Sequence, residues 1–299
     1  MDERHVVAID LGGTKATIAV VASDGRVLGR SVAPAPRTAP PEAIASFLAR
    51  ARKLPGSHAT EAVGLALPGI VDTAGAVAWA AASIAEWQGA AARALLREAF
   101  EMPAAVRFDG YAATQGEAVF GAGRGHRSLV TFIVGTGLGA GVWLDGRVVE
   151  GHTGVAGAVG WDRWPVADGT LSEPVESLAS GTGILAAARR AAPDADYADA
   201  RAVFRAARLG DPVARAAVRV AATAAGVVAG GAIDLLAPEV VVWSGGVGAR
   251  ADFSALATRV ARQSCQPFAV ERTVFTRSRL GAESSIMGAA AAALATLEG

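Results

Sequence analysis

Cysteine is nearly absent from this 299-residue chain. Its one thiol, Cys265, excludes an intrachain disulfide, and the four histidines (His5, His58, His126, His152) are scattered without metal-ligand spacing. Net charge is absent too. The 28 Lys and Arg balance 28 Asp and Glu, so no net field draws the chain to nucleic acid or to an anionic membrane surface. The longest uncharged stretch, Val220 to Ile233, is broken by Asp234 and falls short of the roughly 20 residues that cross a bilayer, which predicts a buried helix. The opening Met1-Asp2-Glu3-Arg4 is charged and runs into a strand-like segment, without the apolar region of a secretory signal. There is no Walker A sequence, low-complexity tail or linker. Together these absences predict a small-molecule ligand, no nucleic-acid or membrane partner, and a reducing, cytoplasmic setting. The length suffices for two ordinary domains.

What is present is an internal similarity. Val6 to Asp10 lead into Leu11-Gly12-Gly13-Thr14-Lys15, then Ala16 to Val21, then Asp24-Gly25-Arg26-Val27-Leu28; Leu129 to Val134 lead into Gly135-Thr136-Gly137-Leu138-Gly139, then Ala140 to Leu144, then Asp145-Gly146-Arg147-Val148-Val149. Each copy reads as strand, glycine-rich turn, strand, Asp-Gly turn, strand. Two similar meanders predict two similar domains, 1–120 and 121–299, with a closing helix at about 285–297 able to pack back on the first. Between the meanders, helices are expected over 40–53 and 90–100, a buried strand over 62–67, and a helix over about 112–120 with Asp109 just ahead of it. Asp211-Pro212 is an N-cap followed by proline at the first helical position, opening a helix that runs towards Leu236. Val240 to Trp243 form a strand before Ser244-Gly245-Gly246.

The glycine turns carry the chemistry. Without Cβ atoms, Gly12 and Gly13 let main-chain N–H groups approach phosphate oxygens, Thr14 adds a hydroxyl, and Asp10 is placed to hold a hydrated Mg²⁺. The alternative is a tight hairpin whose glycines serve geometry alone. Gly135-Thr136-Gly137-Leu138-Gly139 is no dinucleotide fingerprint, because a strand follows it where that motif requires a helix. One such hairpin per domain would clamp a polyphosphate between them.

The combination resembles the sugar-kinase, actin and Hsp70 superfamily, and within it the ROK family of repressors and sugar kinases. The likeness covers almost the whole chain and includes Gly64 to Asp72, Gly116-Glu117, Gly121 to Gly123, Gly154 to Gly157, Glu176 to Gly181, and Val240 to Gly246 before the closing Gly288-Ala289-Ala290. It implies an α/β, actin-like ATPase (ribonuclease H-like) fold with two domains flanking a nucleotide cleft. It also implies ATP with Mg²⁺ as cofactors, a sugar or polyol acceptor, and a homodimer. Asp10, Gly12, Gly13, Thr14, Lys15, Gly135, Thr136, Gly137, Gly139, Gly245 and Gly246 would bind nucleotide and phosphate. Asp109 would stand at the position of the family's general base, in a segment reading Phe108-Asp109-Gly110-Tyr111 where the family has Asn-Asp-Ala-Asn. The other reading of Asp109 is a helix cap. Gly69, Ser83, Phe108, Trp161 and Glu176 would join Asp109 around the acceptor, Glu176 alternatively being a solvated acid at a helix start.

Departures from the family pattern are as informative. Gly157-Ala158-Val159-Gly160-Trp161 stands where the family has Gly-Glu-x-Gly-His, and 167–174 lacks the three cysteines that complete the family's structural zinc, so no zinc site is expected. Trp161, Trp164, Pro165 and Pro174 are expected to replace that crosslink with apolar packing and stiffer backbone. Trp161 is either a wall of the acceptor pocket or plain core. With Phe108, Ala158, Trp161 and Ser83 in place of an amide, a carboxylate, an imidazole and an asparagine, fewer partners remain for sugar hydroxyls. An acceptor other than glucose or an N-acetylhexosamine is expected, such as a deoxy or amino sugar, a ketose or a cyclitol.

Three functions fit this fold: a kinase, a ligand-sensing regulator and a sugar binder without turnover. The regulators of the family carry an N-terminal helix-turn-helix domain, whereas here the first strand begins by about His5 and no basic footprint is present. Retention of Asp10, both glycine turns and Asp109 argues against lost catalysis. The kinase is the reading adopted.

Overall fold

The computed structural model describes residues 3–298; Met1 and Asp2 of the charged opening, and Gly299, lie outside them. The chain divides into two compact units. The first gathers the residues up to Gly125, Gly146–Ala156 and the chain from Ala282 onward; the second holds His126–Asp145 and Gly157–Gly281.

In the first unit a mixed sheet has the order β3-β2-β1-β4-β7, built from β1 (His5–Leu11), β2 (Lys15–Ala22), β3 (Val27–Pro34), β4 (Thr60–Leu67) and β7 (Ala104–Phe108). A small hairpin, β5 (Gly69–Val71) with β6 (Val77–Ala80), follows β4. The meander strands pair antiparallel, whereas β1–β4 and β4–β7 are parallel. Side chains alternate across a strand, so Val7, Ile9 and Leu11 enter one core with Ile44 and Phe47 of α1 (Pro40–Ala51) and Leu96 of α2 (Ala92–Phe100). Both faces are covered, which is why β1 and β4 read as continuous apolar runs. The helix α3 (Asp109–Val119) follows β7 and packs against the closing helix α10 (Ser284–Ala295), which also lies on β1 and β4. Glycine makes that approach possible. A Cβ on Gly288 would stand 1.6 Å from the Ala112 carbonyl oxygen, and one on Gly64 1.9 Å from that of Ala289.

In the second unit the strands β8 (Ser128–Val134), β9 (Leu138–Leu144), β11 (Val240–Ser244) and β12 (Val274–Arg277) run in the order β9-β8-β11-β12, and the two-residue β10 (Arg147–Val148) follows β9 at the hairpin where the chain returns to the first unit. At that hairpin Asp145 and Gly146 both have positive φ (48° and 85°), the backbone that an Asp-Gly turn supplies. The helices of this unit are α4 (Gly181–Ala191), α5 (Ala200–Leu209), α6 (Pro212–Leu236), α7 (Gly245–Gly248), α8 (Ala251–Ser264) and α9 (Pro267–Arg272).

Asp211 caps α6 as expected, its Oδ1 accepting from Val213 N at 2.9 Å and Ala214 N at 3.1 Å. The helix runs from Pro212 to Leu236 and is buried over much of its length, as expected; its 25 residues are long and apolar enough to span a membrane by length and composition alone. It is instead packed against α4, α5 and α8, with Ala214, Ala221, Ala225, Gly226 and Ala229 buried. The structure corrects the start of α3, which lies at Asp109 rather than near Ala112. Asp-Gly-Tyr is a weak helical opening, but packing on α10 outweighs propensity.

Candidate active site

In the first unit the glycine turn joins two fully paired strands. Gly12 N donates to Lys15 O at 2.9 Å and Ala35 N donates to Thr14 O at 3.0 Å, so the turn is held from within and from the chain beyond β3. Asp10, near the end of β1, has its carboxyl raised above the ordinary range by burial, with Lys15 and then Arg30 pulling the other way. Asp109 stands at the first position of α3 and is partly exposed. Burial, then the charge of Asp10, push its carboxyl from 3.8 up to about 7, against a lowering bond from Gly110 N–H. The cap of α3 is Phe108, and no side chain caps the helix, so Asp109 does not serve as the N-cap. Its surroundings instead hold the carboxyl near neutrality.

The residues expected around the acceptor in this unit are Gly69, Ser83 and Phe108. Gly69 lies in β5, where a Cβ would stand 2.6 Å from Trp79 O, so the hairpin itself requires glycine. Ser83, in the 3₁₀ segment Ala82–Trp87, approaches the turn: a Cβ on Gly13 would lie 2.9 Å from its Cβ. Phe108 stacks edge-on against Tyr111 with centroids 5.3 Å apart.

In the second unit the turn 135–139 is tied to two other segments. Gly181 N donates to Gly135 O and Thr182 Oγ1 to Thr136 O, both at 2.8 Å. Glu176 Oε2 accepts from Leu138 N at 2.7 Å, and a Cβ on Gly137 would stand 2.4 Å from that same oxygen. Glu176 is an exposed acid at the start of the 3₁₀ segment Val175–Ser177, and its carboxylate also holds the turn through Leu138 N. Gly245, at φ 82°, follows β11 and opens α7 with no room for a Cβ, which would meet Val134 O at 2.4 Å. At Gly135, Gly139 and Gly246 nothing lies within 4 Å of a built Cβ, which leaves open space over these backbones.

The loop that differs from the family pattern corrects another expectation. Trp161 is 77% exposed and Leu171 61% exposed, while Pro165 is exposed and Trp164 and Pro174 are only half-buried. Trp161 is not core, and apolar packing does not replace the zinc crosslink. Main-chain bonds hold the loop: Ser172 N donates to Trp164 O at 2.8 Å and Val166 N to Thr170 O at 2.9 Å, around a bridge between Pro165 and Leu171.

Sequence reasoning missed two features of the first unit. Arg37 donates to the carbonyls of both Gly13 and Ser83. Arg107, beside Phe108, pairs with Glu150 at 2.6 Å, and Tyr111 donates to Ala156 O at 2.9 Å; its phenol is pushed up to about 12 by burial and then by Glu150. Neither has a spacing signal, because each pair is far apart in sequence.

Against known proteins, the ROK family pattern matches residues 6–296. A glucokinase of Streptomyces coelicolor is 34% identical over 168 residues, which are 55% of this chain and 51% of that protein, so the match spans about half of that relative's length. A solved ROK hexokinase from Thermus thermophilus shares 32% identity with a TM-score of 0.85, covering 98% of this chain and 99% of that one. A ROK family glucokinase from Streptomyces griseus, solved with glucose and AMPPNP, shares 29% identity with a TM-score of 0.73, over 97% of this chain and 99% of that one.

Proposed function

The chain belongs to the ROK family, and on that premise we propose that it is an ATP-dependent kinase that phosphorylates a hydroxyl of a sugar or sugar-like alcohol. The observation that carries this reading is Asp109, a partly exposed carboxyl held near neutrality beside Asp10. Asp109 takes the proton of the acceptor hydroxyl as that oxygen bonds to the γ-phosphorus and the bond from phosphorus to the β–γ bridging oxygen breaks, the electron pair leaving with ADP. The open backbones at Gly135, Gly139 and Gly246 suit a polyphosphate, since no protein atom competes for that space. For Mg²⁺, Asp10 would supply one carboxylate. Among the described residues no group of three acidic, His or Cys side chains converges, so Asp10 would hold the ion through water. When bound, the ion would draw off charge from the phosphates. A zinc site does not fit, because 157–174 contains neither Cys nor His. The reading further comprises a homodimer in the cytoplasm, with no nucleic-acid or membrane partner.

The exposed indole of Trp161 and the missing carboxylate at Ala158 support an acceptor other than glucose. The test is ADP release from MgATP across hexoses, deoxy and amino sugars, ketoses and cyclitols. Acceptor-dependent release is expected, with glucose slower than the best acceptor; nucleotide binding without turnover on any acceptor would favour a sensor instead.

Two further results are expected. Because Asp109 acts ionised, kcat/KM should climb about tenfold per pH unit below a carboxyl near 7 and level off above it. Asp10→Asn removes the neighbouring charge and should move that limb to lower pH; a pH profile with an unmoved limb in the variant would remove Asp10 from the account. Gly135→Ala meets nothing within 4 Å, so unfolding free energy should change by no more than about 0.5 kcal/mol while ATP affinity falls, as urea titration and calorimetry would read.

A further inference from the structure

Arg37 is exposed and lies outside every motif, yet it donates to two carbonyls that belong to different parts of the candidate site: Gly13, in the first glycine turn, from Nη2 at 2.9 Å, and Ser83, in the acceptor-side loop, from Nη1. The Gly13–Thr14 peptide is trans, so its C=O and N–H point in opposite directions. A guanidinium fixed on the Gly13 carbonyl therefore fixes the Thr14 N–H facing away from it. The neighbouring peptides have their own anchors, Gly12 N on Lys15 O and Ala35 N on Thr14 O, but among the described hydrogen bonds the Gly13 carbonyl is held by Arg37. Without that anchor the peptide can turn over and present its carbonyl oxygen, a partial negative charge, to whatever the turn binds.

We propose that Arg37 is a positioning residue, whose two-pronged grip on Gly13 and Ser83 locks the first glycine turn in the orientation that offers the Thr14 N–H to a phosphate group. This deepens the kinase reading and rests on it for the identity of the phosphate as that of ATP. The grip also couples the two loops. Gly13 and Ser83 are already so close that a Cβ on Gly13 would stand 3.0 Å from Ser83 Oγ, so movement of one carries the other. Arginine suits the task, because its planar fork reaches two acceptors at a fixed angle, whereas an ammonium on a flexible stem does not.

The test is ATP affinity by calorimetry and acceptor-dependent turnover for the full chain as wild type, Arg37→Ala and Arg37→Lys, each with and without added guanidinium. Loss of a charged hydrogen bond predicts about tenfold weaker ATP binding in Arg37→Ala, with little recovery in Arg37→Lys. Guanidinium should restore part of the affinity of Arg37→Ala. A merely structural role would not give that result, since guanidinium weakens folded proteins. ATP affinity within about twofold of wild type in Arg37→Ala, or a loss that guanidinium leaves in place, would overturn the proposal. Wild type that binds ATP without turnover would sink the kinase reading and leave the Arg37 comparison intact; wild type that binds no ATP would overturn both.

Discussion

Asp109→Asn is expected to lose acceptor-dependent ADP release by about 10²- to 10⁴-fold and, at the same time, to be more stable than the wild type above pH 7. The two effects have one origin. Burial and the charge of Asp10 raise the carboxyl from 3.8 to about 7 in the folded chain. Between those values the native state keeps a proton that the unfolded state releases, so the contribution of Asp109 to wild-type stability falls as pH rises from about 4 to about 7 and is constant above that. Asparagine has no proton to lose. The difference between variant and wild type should be near zero at about pH 4 and grow to the order of 2–4 kcal/mol above pH 7, as urea titrations at the two pH values would read. Retention of more than about a tenth of wild-type turnover would remove Asp109 as the base. Equal stability at both pH values would show that its carboxyl is not raised.

Gly288→Ala should be the most destabilising single methyl in the chain, at about 3 kcal/mol or more. The added Cβ would stand 1.6 Å from Ala112 O, and the obstacle is main chain that cannot rotate aside. α10 must then move off α3, the helix whose first residue is Asp109. The site should therefore loosen with the fold, and turnover should fall together with the denaturation midpoint. Gly135→Ala supplies the contrast, a glycine with open space around it that should spare the fold and affect ligand. A Gly288→Ala variant with wild-type stability would mean that α10 and α3 are not in the close contact described.

Much of this was legible because it is local. Alternation and turn residues mark both meanders, so β1, β2, β8 and β9 fall within a residue or two of their expected limits, and Asp211-Pro212 marks the start of α6. The boundary of α3 was not legible, since its weak first turn is stabilised by a helix some 170 residues away in sequence. The loop 162–173 was misjudged for a related reason. Tryptophan and proline suggest packing, but backbone hydrogen bonds that no composition reveals hold it instead, and Trp161 is left in solvent.

The sequence by itself determined the family, the two glycine turns, the absence of zinc ligands and the identity of the candidate residues, because each is written in a short run of neighbouring positions. Only the tertiary structure decided what those residues are like. It buried Asp109 and brought Asp10 near it, which together raise its carboxyl, engaged Glu176 with the Leu138 N–H, and set Arg37 across Gly13 and Ser83. Burial, field and hydrogen-bond partner depend on distances between residues far apart in the chain, and no local pattern encodes them.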